Sequence, residues 1–443
     1  MNFPTAQLRH RRGDARYPRS RTADERSVTE KTRLVPWVYV AVSLLLGWGL
    51  PHIRGGFLAT VHSTVRSDQV IAFLSAVSSG MMAFTGIVFS LLFLLMQLSS
   101  SAYSPHLVTL LARNPTIFHA QGVFTGTFLY SLMALRSVGA AAGGTVALTI
   151  WVAFAWLVAS IFLLFRLIEV FATLQIKDVL QMLGESGQHR LDVLYAPRPR
   201  ELPAATGARL PAAAAQVILH QGRPRYLVDV DVATLVSLAR DADAVIKIPV
   251  SFGDAITVGT TIAVIEGSKV PIPEAPIRKA LMLGQDRSLE VSPKNAIRLL
   301  ADIAIRALSP AINDPTTAVR SLDQIEDLLV RLGNSPLEKG AAVDESGNVR
   351  VVYTMPSWEE YLDLALAEIR LYGAGAIQVQ RRLAALLSLL RANVPAIRRD
   401  AIDRIAQQRM QVVERAFDGD VWARDRAAQL DRQGLGHTVV RKP

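Results

Sequence analysis

The sequence predicts a chain in two parts: an α-helical membrane domain of four transmembrane helices, then a cytosolic α+β region with a small β-rich subdomain and long helices. Three observations carry this. Residues 70–98 hold no Asp, Glu, Lys, Arg or His, and about 20 such residues cross a bilayer core of about 30 Å. Three more apolar runs, 34–50, 117–135 and 140–167, lie close by. After them charge returns, and cap and turn residues punctuate short apolar segments.

Composition narrows the partners. Half of the 443 residues are hydrophobic, the net charge is +10 and there is no Cys. The basic residues are spread over the tail and over helices that also carry acids, which argues for anionic lipid and topology control rather than nucleic acid. The lack of Cys excludes disulfides, thiolate metal sites and Cys nucleophiles.

Taken in order, residues 1–33 form a tail with nine Lys or Arg against four acids, expected to be disordered. The membrane domain covers 34–168, with Trp37, Tyr39 and Trp48 as interfacial anchors of the first span. In the second span Ser75, Ser79, Ala83, Gly86 and Ser90 recur every three or four residues, so they share one helix face. Such a stripe lets another helix approach closely, which places this helix at the centre of a bundle. Gly122 and Gly126 form a G-x-x-x-G in the third span, and Gly139 and Gly143 repeat the spacing near the fourth. Four spans put both termini on one side, and the basic tail with Arg166 and Lys177 puts that side in the cytoplasm.

Beyond the spans, 169–195 reads as a helical stalk and 196–215 as a Pro/Ala linker. Residues 216–275 read as the β-rich subdomain, with strands at 216–219 and 226–230 around Gly222, a short helix at 232–240, and strands at 245–250 and 261–265. Residues 276–417 are mostly helical. Ser292-Pro293 and Asp314-Pro315 each pair a cap with a first-turn proline. A hairpin is expected around 345–348. Ser357 with Glu360 makes a capping box for one long helix to Leu390, loosened at Gly373 and Gly375. Pro395 opens the last helix, and the polar tail 418–443 is expected to fray.

The stretches FTGIVFSLLFLLMQLSSSAYSPHL, GVFTGTFLYSLMALRSV and IRLLADIAIRALSPAINDPTTAVRSLDQI resemble a large bacterial family of predicted membrane proteins of unassigned function, DUF2254. The resemblance runs from the first span to the final helices and is most specific over 306–318. It implies a multipass protein of the bacterial inner membrane with a cytosolic C-terminal half. It brings no reaction and no catalytic residue.

Candidate chemistry is sparse. Segment 253–275 resembles half of a lipoyl or biotinyl carrier, with Lys269 at the modified position, but the partner half is missing and prolines follow. Asp229 and Asp231 alternate on a presumed strand, either as a carboxylate pair or with Asp231 capping the next helix. Ser309, Asn313 and Asp314 lie in a polar loop between two helices, either a ligand loop or an ordered connection. His106 and His119 flank the loop after the second span. No catalytic signature, cofactor motif or metal spacing is found. The small-residue and hydroxyl stripe of the second span makes the leading expectation an oligomeric channel-like pore with a cytosolic regulatory domain. Spans without charges disfavour a proton-coupled carrier. Its partners are the bilayer and further copies of itself, with a cytosolic ligand or protein unidentified. The alternative is a membrane-anchored ligand sensor or scaffold without conduction.

Overall fold

The computed structural model describes residues 22–50, 67–102, 114–138, 143–172, 176–195, 201–203, 216–268, 270–284, 292–337 and 339–431. The tail before residue 22, His106, Gly139, Lys269, most of the Pro/Ala linker and the end of the C-terminal tail lie outside the described residues.

Four helices come first: α1 (Thr22–Gly49), α2 (Ser67–Ala102), α3 (Pro115–Val138) and α4 (Gly143–Ala172). Two of them are long and apolar enough to cross a membrane, α2 over Asp68–Leu95 and α4 over Ala147–Val170. The apolar part of α1, Leu34–Gly49, is shorter, and α3 carries too many polar residues to qualify. Length and composition thus give two candidate spans where the sequence reading expected four.

The centre of the bundle is α3, not α2: α1, α2 and α4 all pack against it. The reason is physical. A helix sheltered by neighbours can bond its polar groups inside the bundle, whereas helices facing outward have no such partners. Thr127 Oγ1 meets Ser160 Oγ at 2.8 Å, the Tyr130 hydroxyl donates to Thr149 O at 3.0 Å, and Tyr39 OH lies 3.0 Å from His119 Nδ1. Gly122 and Gly126 mark where α1 crosses. A Cβ on Gly122 would stand 2.5 Å from Tyr39 Cδ2, and one on Gly126 would stand 2.6 Å from Ser43 Oγ.

Little of the outer helices is covered: 22 % of the apolar window of α2 and 17 % of that of α4 are buried. Trp37, Phe93, Trp151, Phe162 and Phe165 all point outward. Exposing such a side chain to water forfeits roughly 1.5–3 kcal/mol, and patches this large are rare on soluble monomers. The bundle is built for an apolar solvent.

Three residues separate α4 from α5 (Ile176–Leu194). The segment expected as a stalk is packed: Val179, Leu180, Leu183 and Leu191 of α5 are buried against α8 (Pro293–Ala307) and α9 (Pro315–Gly333). The same helical layer takes in α10 (Trp358–Tyr372), α11 (Ile377–Asn393) and α12 (Arg399–Ala416). The single long helix expected from Ser357 is two helices, because the chain breaks after Tyr372. There Gly373 N–H bonds Ile369 O, and Gln380 Nε2 donates to Gly373 O at 3.0 Å. The stretch from 418 does not fray throughout. Asp420 accepts from Ala423 N at 2.9 Å, and α13 (Val421–Ala428) buries Ala423 and Ala427.

The second core belongs to the strands. β1 (Glu201–Pro203), β2 (Gln216–Leu219), β4 (Val245–Ser251), β6 (Thr261–Glu266), β8 (Lys339–Val343) and β9 (Val349–Thr354) form one sheet in the order β1-β8-β9-β4-β6-β2. Only β4 and β9 pair in parallel. β5 (Ala255–Ile256), β3 (Arg225–Val230) and β7 (Leu281–Gly284) make a second, antiparallel sheet. With α6 (Val232–Asp241) and α7 (Glu274–Ala280) these sheets enclose Ile218, Leu235, Ile246, Ile265 and Val351. The strands on either side of Gly222 therefore do not pair with each other. The hairpin expected at 345–348 is present, with β8 and β9 antiparallel and Gly347 at φ +83°.

Candidate functional site

Each candidate residue has a definite place. On α2 the side that packs carries Val70, Leu74, Val77, Met81 and Leu92, all buried. Ser75, Ser79, Ala83, Gly86 and Ser90 lie on the opposite side and are all exposed. A Cβ on Gly86 would meet nothing within 4 Å. Ser79 Oγ donates to Ser75 O at 2.9 Å within its own helix. Among the described residues the stripe packs against no other element, unlike Gly122 and Gly126.

Asp231 is a helix cap. Its carboxylate takes Thr234 N at 3.1 Å and Thr234 Oγ1 at 2.7 Å. Asp229 turns to its own neighbour, accepting Val230 N at 2.9 Å. The two carboxylates thus serve different backbone groups. The 309–314 loop is bonded internally. Ser309 Oγ donates to Arg306 O at 2.7 Å, Asn313 N to Ser309 O at 2.8 Å and Asp314 N to Ala307 O at 2.7 Å. Asp314 caps α9 through Thr317 N at 3.1 Å and Thr317 Oγ1 at 2.6 Å. Asn313 takes φ +48°, a left-handed conformation that Asn tolerates better than most residues. A loop satisfied in this way has few groups left for a ligand.

The structure adds a site that the sequence reading did not single out. A cleft of roughly 640 Å³ opens between the β4–β5 turn and the first turns of α8, closed on the far side by α10. Val250, Ala255, Leu299 and Leu364 give it apolar walls, and Asp254, Lys294, Asn295, Arg298 and Asp302 give it polar ones. Gly253, at φ +87°, lets the turn fold against the α8 cap Ser292. Lys294 Nζ lies 3.7 Å from Asp254 Oδ1 and 4.0 Å from Glu360 Oε2, too far for a hydrogen bond to either. Arg298 is clamped instead, by Glu368 at 2.6 Å and Asp302 at 2.8 Å. The Glu368 hydrogen bond chiefly raises its pKa, against the opposing effect of burial. The sequence signal was the spacing Lys294, Arg298, Asp302, which puts three charges on one face of α8. Volume and mixed polarity suit a small molecule. The lining has no Ser, Thr, Cys or His. Among the described residues no group of three His, Asp or Glu side chains converges on a metal position.

Both apolar helices, the strand core and most of the helical core fall within a single family match. The profile described as "Predicted membrane protein (DUF2254)" covers residues 29–388. The chain belongs to that family. It is thus a membrane protein. Similar curated proteins include uncharacterized proteins of Mycobacterium bovis and Mycobacterium tuberculosis, each 29 % identical over 390 residues, covering 84 % of this chain and 72 % of the relative. No solved structure matches the chain.

Proposed function

We propose that this DUF2254 protein is a four-span protein of the bacterial inner membrane, with both termini cytoplasmic, that assembles through α2 into a homo-oligomer with a conducting path between the copies. One observation supports this above all: the stripe Ser75, Ser79, Ala83, Gly86 and Ser90 is exposed and uncovered by any of the described residues. Small and hydroxyl residues in lipid favour close helix contact, and the surface left for that contact here belongs to another copy. The same stripe, facing several copies, lines a polar path. α3 counts as a span because it packs against α2 and α4 and its polar groups are bonded inside the bundle, and α1 because it packs along α3.

Ion flux into proteoliposomes tests this, comparing wild type with Ser79→Leu and Ser90→Leu. Conduction by wild type, lost in inserted and assembled Leu variants, supports the path. Silence of wild type across salts, pH and tension removes it. The second reading, a membrane-anchored ligand sensor, draws on the cleft at the start of α8. Thermal shifts of the full chain in detergent with nucleotides, anions, amino acids or divalent cations check it, because a ligand at 100 times its Kd stabilises by about 2.7 kcal/mol. Shifts that survive in Lys294→Ala and Asp302→Ala would sink the cleft as the site.

A further inference from the structure

We propose that the end of the helical layer made by the 309–314 loop and the C-terminus of α10 rests on the bilayer surface, with its apolar residues at the headgroup boundary. The inference needs α4 to span the membrane. It does not need a pore.

Distance comes first. The apolar window of α4 ends at Val170, and α5 begins at Ile176. Between Ala172 and Ile176 the chain can reach at most about 14 Å. The start of α5 is therefore held close to the membrane whatever its tilt. α9 runs parallel to α5: Gly184 abuts Gln324, Gly187 abuts Leu328, and Gln188 Nε2 donates to Asp327 at 2.6 Å. From Gly184 back to Ile176 is about 12 Å of helix, and from Gln324 back to Pro315 about 14 Å, at 1.5 Å per residue. The two helix starts are level, one interhelical spacing of about 8–10 Å apart. The loop before α9 thus sits at the tethered end. So does the end of α10, because a Cβ on Gly373 would lie 3.3 Å from Leu308 Cδ1.

This end is apolar on the outside. Ile312 is 42 % exposed, Leu371 58 % and Tyr372 60 %, and Pro310 and Ala311 are exposed beside them. Its backbone is bonded internally through Ser309, Ala307 and Arg306, which lowers the cost of leaving bulk water. Lys177 in the first turn of α5, Arg306 in the last turn of α8 and Arg320 in the second turn of α9 outnumber Asp178 and the cap Asp314 at this end by one charge. An apolar tip with surplus cations suits an anionic lipid surface. The same features explain why a loop so fully satisfied exposes an isoleucine at its turn.

The lack of native Cys makes the test direct. Single variants Ile312→Cys, Tyr372→Cys, Leu94→Cys and Ile397→Cys of the full chain, labelled with an environment-sensitive fluorophore, are placed in phosphatidylethanolamine/phosphatidylglycerol proteoliposomes. Leu94 is exposed on α2 and reports membrane insertion. Ile397 reports the opposite end of the layer, because Arg398 beside it caps Leu332 O at the far end of α9, about 28 Å away. The expected result is that acyl-chain-borne quenchers extinguish most of the signal at 94, 312 and 372, while aqueous iodide quenches 397. Quenching at 94 with 312 and 372 behaving like 397 overturns the proposal and leaves the membrane reading intact. Protection of 312 and 372 from both quenchers means that another protein covers the tip, and also overturns it. No lipid quenching at 94 removes the membrane reading itself.

Discussion

Two glycines three residues apart on α5 should respond to the same substitution with opposite signs. Gly184 and Gly187 are both buried in the middle of α5. Gly→Ala in a helix interior gains about 0.5–1 kcal/mol from the backbone. What opposes the gain differs. A Cβ on Gly184 meets the amide end of Gln324, a flexible terminus that swings aside. A Cβ on Gly187 would stand 2.9 Å from Leu328 Cδ2 and 3.0 Å from Ala296 Cβ. Both neighbours belong to the helical core, where overpacking costs typically 1–3 kcal/mol. Gly184→Ala is thus expected to be neutral or stabilising by up to about 1 kcal/mol, and Gly187→Ala destabilising by about 1–2 kcal/mol. Thermal unfolding of the full chain in detergent reads this at roughly 2–4 °C per kcal/mol. Equal melting temperatures, or a rise for Gly187→Ala, would show that α5 does not dock as described. The tether between membrane and helical layer would then lose its basis.

Other consequences are smaller in scope. Arg382 is 2 % exposed and holds Asp323 and Glu326 at 2.8 Å each. Arg382→Met should cost about 3 kcal/mol by stranding Glu326, and adding Glu326→Leu should recover most of it; urea titration of the pair of variants decides. Asp344 has its pKa lowered to about 2, first by Arg350 and further by the Asn348 and Ser346 amides, with desolvation opposing. Its contribution is therefore complete above about pH 4 and fades as pH falls towards 2, so unfolding midpoints of Asp344→Asn should lack that part of the acid decline. Gly126→Val should push α3 off α1 at Ser43 and off α4 at Trp156, and proteolysis in detergent should cut α1 faster than in wild type.

What was legible in the sequence was local. Ser292, Asp314 and Ser357 do cap their helices, because cap chemistry is written within four residues of itself. The hairpin at 345–348 is of the same kind. Long-range choices were not legible. The helix with the small-residue stripe was taken for the centre, yet that stripe faces outward, and the sheltered α3 keeps Thr127, Tyr130 and His119. The cleft escaped notice because Asp254 and Lys294 meet only once the β4–β5 turn folds onto α8. The break after Tyr372 was seen only as a loosening, because Gly373 alone does not say that one helix ends there and another begins.

The one parallel contact in the larger sheet has a consequence for synthesis. Ile246 of β4 pairs with Val351 of β9, and Glu201 of β1 pairs with Ala342 of β8. Everything between, including α8 and α9, must be made before the sheet can close. At about 5–20 residues per second, the edge of β4 stays open for about 5–20 s on the ribosome. Such an edge is a template for wrong pairing, and late, distant contacts of this kind fold slowly. A fragment cut anywhere between β6 and β8 keeps that edge bare, so the strands and the helices of this half are expected to fold together or to aggregate apart.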